Sequence, residues 1–323
     1  MRMATMPRLD VGHEKYAAKQ SPLFRLRSKR KLAELLGWSG TGNELDAFAN
    51  RADNYRIFTI HEDGKKPREV QEPKEGLQRI HRRLASLLLR IAPPDYLHSG
   101  LRNRSFVTNG ACHVNAMPAI KLDIKKFYPS TKWAHIFRCF REDFECAEDV
   151  AGVLASLTCV STAQGKHLPT GSAASQILAY YVHRPMFDAI NQIALERKGV
   201  FTLYVDDMVL SLPDASPADI RRIGRLITGQ GLGWHKDRFF PAGTPKRITG
   251  TIASPDHLLA NKRQHFKYLL TLEAMDEAEV GAEKASAASR GIGLLFSIAQ
   301  VDPRYMTRAR KMAQKLLPIS HAR

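Results

Sequence analysis

Apolar and polar residues alternate along YRIFTIHEDGKKPREV (55–70) on either side of Asp63-Gly64, which predicts a β-hairpin. AIKLDIKKFY (119–128) alternates as a strand and stops at Pro129, leaving Ser130 to cap a helix through about Arg141. FTLYVDDMVLSL (201–212) reads as strand, turn, strand. Between these lie segments of helical period. SKRKLAELLG (28–37) carries Ser28 as N-cap, Leu32, Leu35 and Leu36 on one face, and Gly37 as the stop. GLQRIHRRLASLLLRI (76–91) is amphipathic and rich in arginine. A loop punctuated by Gly and Pro (165–176) leads into a long helix, ILAYYVHRPMFDAINQIALERKG, and SPADIRRIGRLITGQG (216–231) forms another that ends in glycines. The final third is helical. This order predicts an α+β core, with helices on one face of an antiparallel sheet.

The 323 residues suffice for two or three subdomains around a sizeable core. The charge is unusual: 49 Lys and Arg against 32 Asp and Glu leave a net +17. Such an excess suits a polyanionic partner, because phosphates neutralised by Lys and Arg release counterions; an anionic lipid surface would draw on the same charge. The cysteines, at 112, 139, 146 and 159, form no CxxC pair and no zinc-like spacing, so reduced thiols are expected. MRMATMPRLDVGHEKY has no apolar core of the kind a signal peptide uses, and no apolar run is long enough to span a bilayer. A cytoplasmic protein without a membrane partner is therefore expected.

Asp206 and Asp207 break an otherwise apolar strand pair, and Asp123 breaks another about eighty residues earlier. Alone, an Asp-Asp pair is more often a turn. If the two strands are neighbours, however, the acids converge, and unit charges about 4 Å apart repel by roughly 4 kcal/mol at an effective dielectric of about 20. A shared proton or a bound cation removes that cost. Three carboxylates on strand ends suit hard divalent cations with oxygen ligands, Mg²⁺ above all, and a pair of such ions serves in-line phosphoryl displacement.

The set resembles the reverse transcriptases, most closely those of bacterial retrons. LDIKKFY resembles the motif that supplies a first metal ligand, Asp123, with the Ile124 carbonyl as another. YVDD resembles the hairpin carrying Asp206 and Asp207, and LPTGSAASQ, with Thr170 and Gly171, the loop along the incoming nucleotide. GWHKD places Lys236 where the family keeps a lysine near the triphosphate, and GKKPREVQEP supplies Lys65 and Arg68 to grip it. Tyr128 stands where the family has an aromatic beneath the sugar, excluding a 2′-OH. VTNGACHVN, with Asn109 and His113, is similar to the retron Asn-Ala-x-x-His motif, with Gly110 in place of alanine. Ile248-Thr249-Gly250 is similar to its Val-Thr-Gly. Both imply contacts to RNA. Thr170 replaces a frequent glutamine, Gln176 a frequent proline, and Val205 the alanine of the retron-typical YADD.

The resemblance, over roughly residues 28–315, implies an α+β right-hand polymerase. Residues 1–54 form a helical extension, 55–118 with part of 150–180 the fingers, 119–245 the palm, and 246–323 the thumb and a basic RNA-binding region. It implies an RNA-directed DNA polymerase using two Mg²⁺ and dNTPs. The enzyme would bind a cognate structured non-coding RNA and prime from a guanosine 2′-OH. Its product is a branched RNA–DNA hybrid, multicopy single-stranded DNA. A separate effector protein, host RNase H and a role in antiphage defence are implied partners and setting. The alternatives are a defence-associated or group II intron-like reverse transcriptase with another template and priming mode, a non-catalytic RNA-binding scaffold, and a membrane-surface protein. The intact acid triad argues against the scaffold, and the lack of a basic amphipathic helix with aromatic residues opposite argues against the membrane.

Overall fold

The computed structural model describes residues 15–61, 67–277 and 281–316. Helix α1 (Lys29–Leu36) opens as its sequence predicts: Ser28 Oγ accepts the Lys31 N–H, and Gly37 closes the helix in a left-handed conformation. Helix α2 (Gly42–Ala49) starts from a reciprocal cap between Thr41 and Glu44. Strands β1 (Tyr55–Ile60) and β2 (Arg68–Pro73) pair antiparallel, and their Asp63-Gly64 turn lies outside the described residues. Helix α3 (Glu75–Leu89) buries Leu77, Ile80, Leu84, Leu87 and Leu88. Short α4 (Phe106–Ala111) then precedes strand β3 (Ala119–Lys125).

After β3 the predicted strand end and cap are corrected. Lys126 takes a left-handed φ of 49°, and α5 (Phe127–Ser130) follows at once. Pro129 does not stop it, because an N–H in a first helical turn has no helical partner to lose. Ser130 therefore ends a turn of helix instead of capping the next one. Helix α6 (Trp133–Arg138) runs on into a π-helical turn at Cys139–Asp143. Helix α7 (Glu148–Thr158), the small hairpin of β4 (Val160–Thr162) and β5 (Gly165–His167), and the long α8 (Ser175–Glu196) come next. Strands β6 (Val200–Tyr204) and β7 (Asp207–Ser211), helix α9 (Pro217–Gly229) and strand β8 (Gly233–Phe240) complete the central unit.

β6, β7, β3 and β8 form one antiparallel sheet in that order. Period-two alternation gives it two unlike faces. Ile120, Leu122, Ile124, Phe201, Leu203, Met208 and Leu210 point into a single large core shared with α3, α8, α9 and the N-terminal helices. The opposite face carries Lys121, Asp123, Thr202, Asp207, Val209 and Ser211. The expected α+β architecture is present, with one addition. A second sheet of three short strands, β9 (Lys246–Ile248), β10 (Thr251–Ala253) and β11 (Leu258–Ala260), covers part of that opposite face. There Ile248 and Ala253 pack on Val209. The acid-bearing end of the sheet stays open. Helices α10 (Lys262–Glu277), α11 (Ala282–Ala299) and α12 (Met306–Leu316) pack round their own small core of Tyr268, Leu295, Ile298 and Ala309. Among the described residues no helix is long and apolar enough to cross a membrane.

Candidate active site

The β3–β7 register sets Asp123 directly opposite Asp207. Asp206 occupies the turn between β6 and β7. Val205, which opens that turn, has φ 62°, a conformation a β-branched residue adopts only at a cost. The turn is held from both sides: the Val205 N–H donates to Ser99 Oγ at 3.0 Å, and the Ile124 N–H donates to the Asp206 carbonyl at 2.9 Å. Asp123, Ile124 and Asp206 thereby border an open cleft of about 480 Å³, which Tyr128, Arg68, Thr170, His235 and Lys236 also line.

Strand β8 takes hold of Asp123 through an irregularity. Two steps along β3, from Lys121 to Asp123, oppose three along β8, from Arg238 to His235. The extra residue forms a bulge at Lys236, whose φ is 53°. Two neighbouring side chains of β8 therefore reach the same carboxylate. His235 Nε2 lies 2.5 Å from Asp123 Oδ1, and Lys236 Nζ lies 3.2 Å from Oδ2. Lys236 was legible in GWHKD. His235 was missed, although it is the adjacent residue, because only the bulge turns both toward one acid.

The other two acids differ in their surroundings. Burial, reinforced by the charge of Asp123, pushes Asp206 up to about 6. Asp207 is also raised by burial, against the opposing pull of two partners. Its Oδ2 accepts from Lys121 Nζ at 2.7 Å and from Thr249 Oγ1 at 3.0 Å, whereas its Oδ1 is buried without a hydrogen-bond partner.

The remaining expected residues divide. Tyr128 lines the cleft and stacks on Phe127 at 5.9 Å, its phenol pushed up by burial and by the charge of Asp206. Arg68 lines the cleft from β2, and Thr170 is anchored there, Oγ1 donating to Gln71 Oε1 at 3.0 Å. Lys65 lies outside the described residues. Gly171 is at close quarters with β2 rather than with the cleft. Its N–H donates to the Gln71 carbonyl, and a Cβ there would meet that oxygen at 2.8 Å.

The expectation that Asn109, His113 and Ile248 touch RNA is corrected by their burial, since none has exposed surface. His113 joins two strands of the sheet, Nδ1 to Ser211 Oγ and Nε2 to Thr202 Oγ1, both at 2.8 Å. Asn109 Nδ2 donates to Thr249 Oγ1 at 2.9 Å. Gly110, in place of the motif's alanine, lets α4 sit on β10, where a Cβ would approach Thr251 Oγ1 to 2.2 Å. Of these five motif residues only Thr249, partly, and Gly250 reach the surface.

Among the described residues no three His, Cys, Asp or Glu side chains are gathered tightly enough to cage an ion unaided. The donor set nevertheless suits a hard cation completed by substrate oxygens. Asp123 and Asp206 share the cleft, burial disfavours the charge on Asp206, and Asp207 keeps a buried oxygen free.

No family model matches this sequence. It is 24% identical over 277 residues to the Retron Mx162 reverse transcriptase of Myxococcus xanthus, covering 76% of this chain and 57% of that protein. Identity to the Retron Mx65 reverse transcriptase of the same organism is 26% over 83% of this chain and 65% of the relative. The Retron Ec86 reverse transcriptase of Escherichia coli is 22% identical over 62% of this chain and 64% of its own length. The chain thus spans 57% to 65% of the length of these three relatives. Among solved structures, Candida albicans telomerase, determined with a fragment of telomeric RNA, superposes with a TM-score of 0.50 at 14% identity. That match covers 82% of this chain and 56% of the other, and it speaks for the fold alone. The motifs and the relatives point the same way: the chain is similar to the retron-type reverse transcriptases.

Proposed function

We propose that this protein is an RNA-directed DNA polymerase of the retron type. The observation that carries the reading is the cleft itself. Asp123 and Asp206 face the same space as the basic Arg68 and Lys236 and the aromatic Tyr128, with Asp207 paired to Asp123 across the ladder. A cleft lined by acids and cations together fits a nucleoside triphosphate escorted by divalent metal. In this reading Asp123, Ile124, Asp206 and Asp207 hold two Mg²⁺. When bound, these ions activate the attacking hydroxyl and neutralise the leaving phosphates. Arg68, with Lys65, grips the triphosphate, and Lys236 gives a proton to the leaving pyrophosphate. Tyr128 and Thr170 bound the sugar and base.

The right-hand division follows: β1–β2 and α3 as fingers, the four-stranded sheet with α8 and α9 as palm, and α10–α12 as thumb. Lys262, Arg263, Lys267, Arg308, Arg310 and Lys311 load those last helices with positive charge, which suits the shape-based recognition of an RNA stem. The proposal extends to a cognate structured RNA, priming from a guanosine 2′-OH, a branched multicopy single-stranded DNA product, and a partner effector in antiphage defence, with RNase H supplied by the host.

The test has two parts. Purified protein given a primed RNA template, dNTPs and Mg²⁺ extends the primer, and chelation stops it; no extension on RNA overturns the polymerase reading. Nucleic acid recovered from expressing cells contains DNA that shortens on RNase treatment because it is joined to RNA. Linear DNA indifferent to RNase points instead to another template and priming mode.

A further inference from the structure

Asp207 is held by a chain of side chains that begins away from the cleft. Asn109 Nδ2 donates to Thr249 Oγ1, and Thr249 Oγ1 donates to Asp207 Oδ2. A hydroxyl has one proton to give, so its direction is set by what occupies its lone pairs. The Asn109 amide, fully buried in α4, fills the acceptor side and leaves the proton only the carboxylate. Lys121 holds the same oxygen from β3, and Oδ1 alone is left free.

An independent feature marks the same residue. Thr249 has φ 42°, in the left-handed region where a β-branched side chain is a genuine outlier, although Gly250, with φ 91°, follows it. A glycine at 249 would adopt this backbone freely. Strain of this kind persists where the side chain is needed.

We infer that Thr249, oriented by Asn109, is a positioning residue that turns Asp207 so that Oδ1 is the oxygen presented to a divalent cation. This rests on the polymerase reading and deepens it. The two residues are drawn from the segments that resemble retron motifs, and the structure gives them a task at the acids rather than at an RNA surface. The relay also explains why α4 and the β9–β10 turn are packed together, since each contributes one member.

Direct metal binding tests it without relying on turnover. Free Mn²⁺ is measured by its paramagnetic resonance signal while the purified protein, free of nucleic acid, is titrated. Wild type binds Mn²⁺ and Asp206→Asn weakens the binding. Thr249→Val, isosteric but without the donor, lowers the affinity about tenfold, within the range seen when groups behind a metal ligand are removed, and Thr249→Ser restores it to within about twofold. Thr249→Gly separates the hydroxyl from the backbone strain: it adopts the left-handed conformation freely, yet its Mn²⁺ affinity falls as far as that of Thr249→Val. Wild-type affinity in both Thr249→Val and Thr249→Gly overturns the relay and leaves the polymerase reading intact. Failure of wild type itself to bind, with Asp206→Asn no different, overturns the relay, whereas the polymerase reading stands or falls with primer extension on RNA.

Discussion

His235 Nε2 lies 2.5 Å from Asp123 Oδ1, across the bulge that also brings Lys236 to the same carboxylate. Asp123 is therefore oriented by β8 rather than by its own strand. Charge-assisted hydrogen bonds are among the stronger positional constraints a side chain can have, worth about 1.5–3 kcal/mol.

Replacing His235 with alanine frees one Asp123 oxygen and should lower kcat on a primed RNA template about tenfold, since about 1.4 kcal/mol corresponds to a factor of ten. The Km for dNTP should stay within about twofold, because His235 acts on the acid rather than on the triphosphate. Steady-state kinetics check this; an unchanged kcat would remove His235 from the site.

Tyr128 is held against Phe127 and faces Asp206. Tyr128→Ala opens the floor of the cleft and should raise the use of ribonucleotides relative to deoxynucleotides by about tenfold or more, the scale of one steric contact in a pocket. Single-nucleotide incorporation with paired dNTP and rNTP measures it, and an unaltered ratio counts against the steric gate.

Gly171→Ala drives a methyl group into the Gln71 carbonyl at 2.8 Å and the Glu72 Cα at 3.1 Å. Backbone atoms yield less readily than side-chain ends, so the substitution should cost about 1–3 kcal/mol of stability. Urea denaturation checks it; stability equal to wild type would mean the loop separates from β2 at no cost.

Much of the scaffold was legible in the sequence. The β3 alternation, the β6–β7 hairpin and the capped helices α1 and α9 all follow from local rules of period and capping. What was illegible depends on tertiary context. β9, β10 and β11 have three residues each, too few for a period to declare itself. The bulge at Lys236 has no composition signal, so His235 was passed over. The resemblance gives His113 a contact to RNA, and only the packing of α4 on the sheet shows it to be an internal tie.

That burial has a consequence in acid. Burial pushes the His113 imidazole down to about 3, from 6.5, and His81 down to about 4. In the window between these values and 6.5 the unfolded chain binds protons that the folded chain refuses, so stability falls as the pH is lowered. Melting temperatures should drop steadily from about pH 6.5 toward pH 4, and His113→Asn, which cannot titrate, should shallow that slope. The same slope in the variant would exclude His113 as a contributor.

In the proposed function the acids bordering the cleft do the chemistry, and without a cation their charge is unfavourable. Asp206→Asn examines both halves in one protein. Burial and the charge of Asp123 work against the Asp206 carboxylate, so the amide should melt a few degrees above wild type in metal-free buffer at pH 7. The same sample should fail to extend a DNA primer on an RNA template with Mg²⁺ and dNTPs. A stable variant without polymerase activity is expected; extension at the wild-type rate by the folded variant would remove Asp206 from the chemistry.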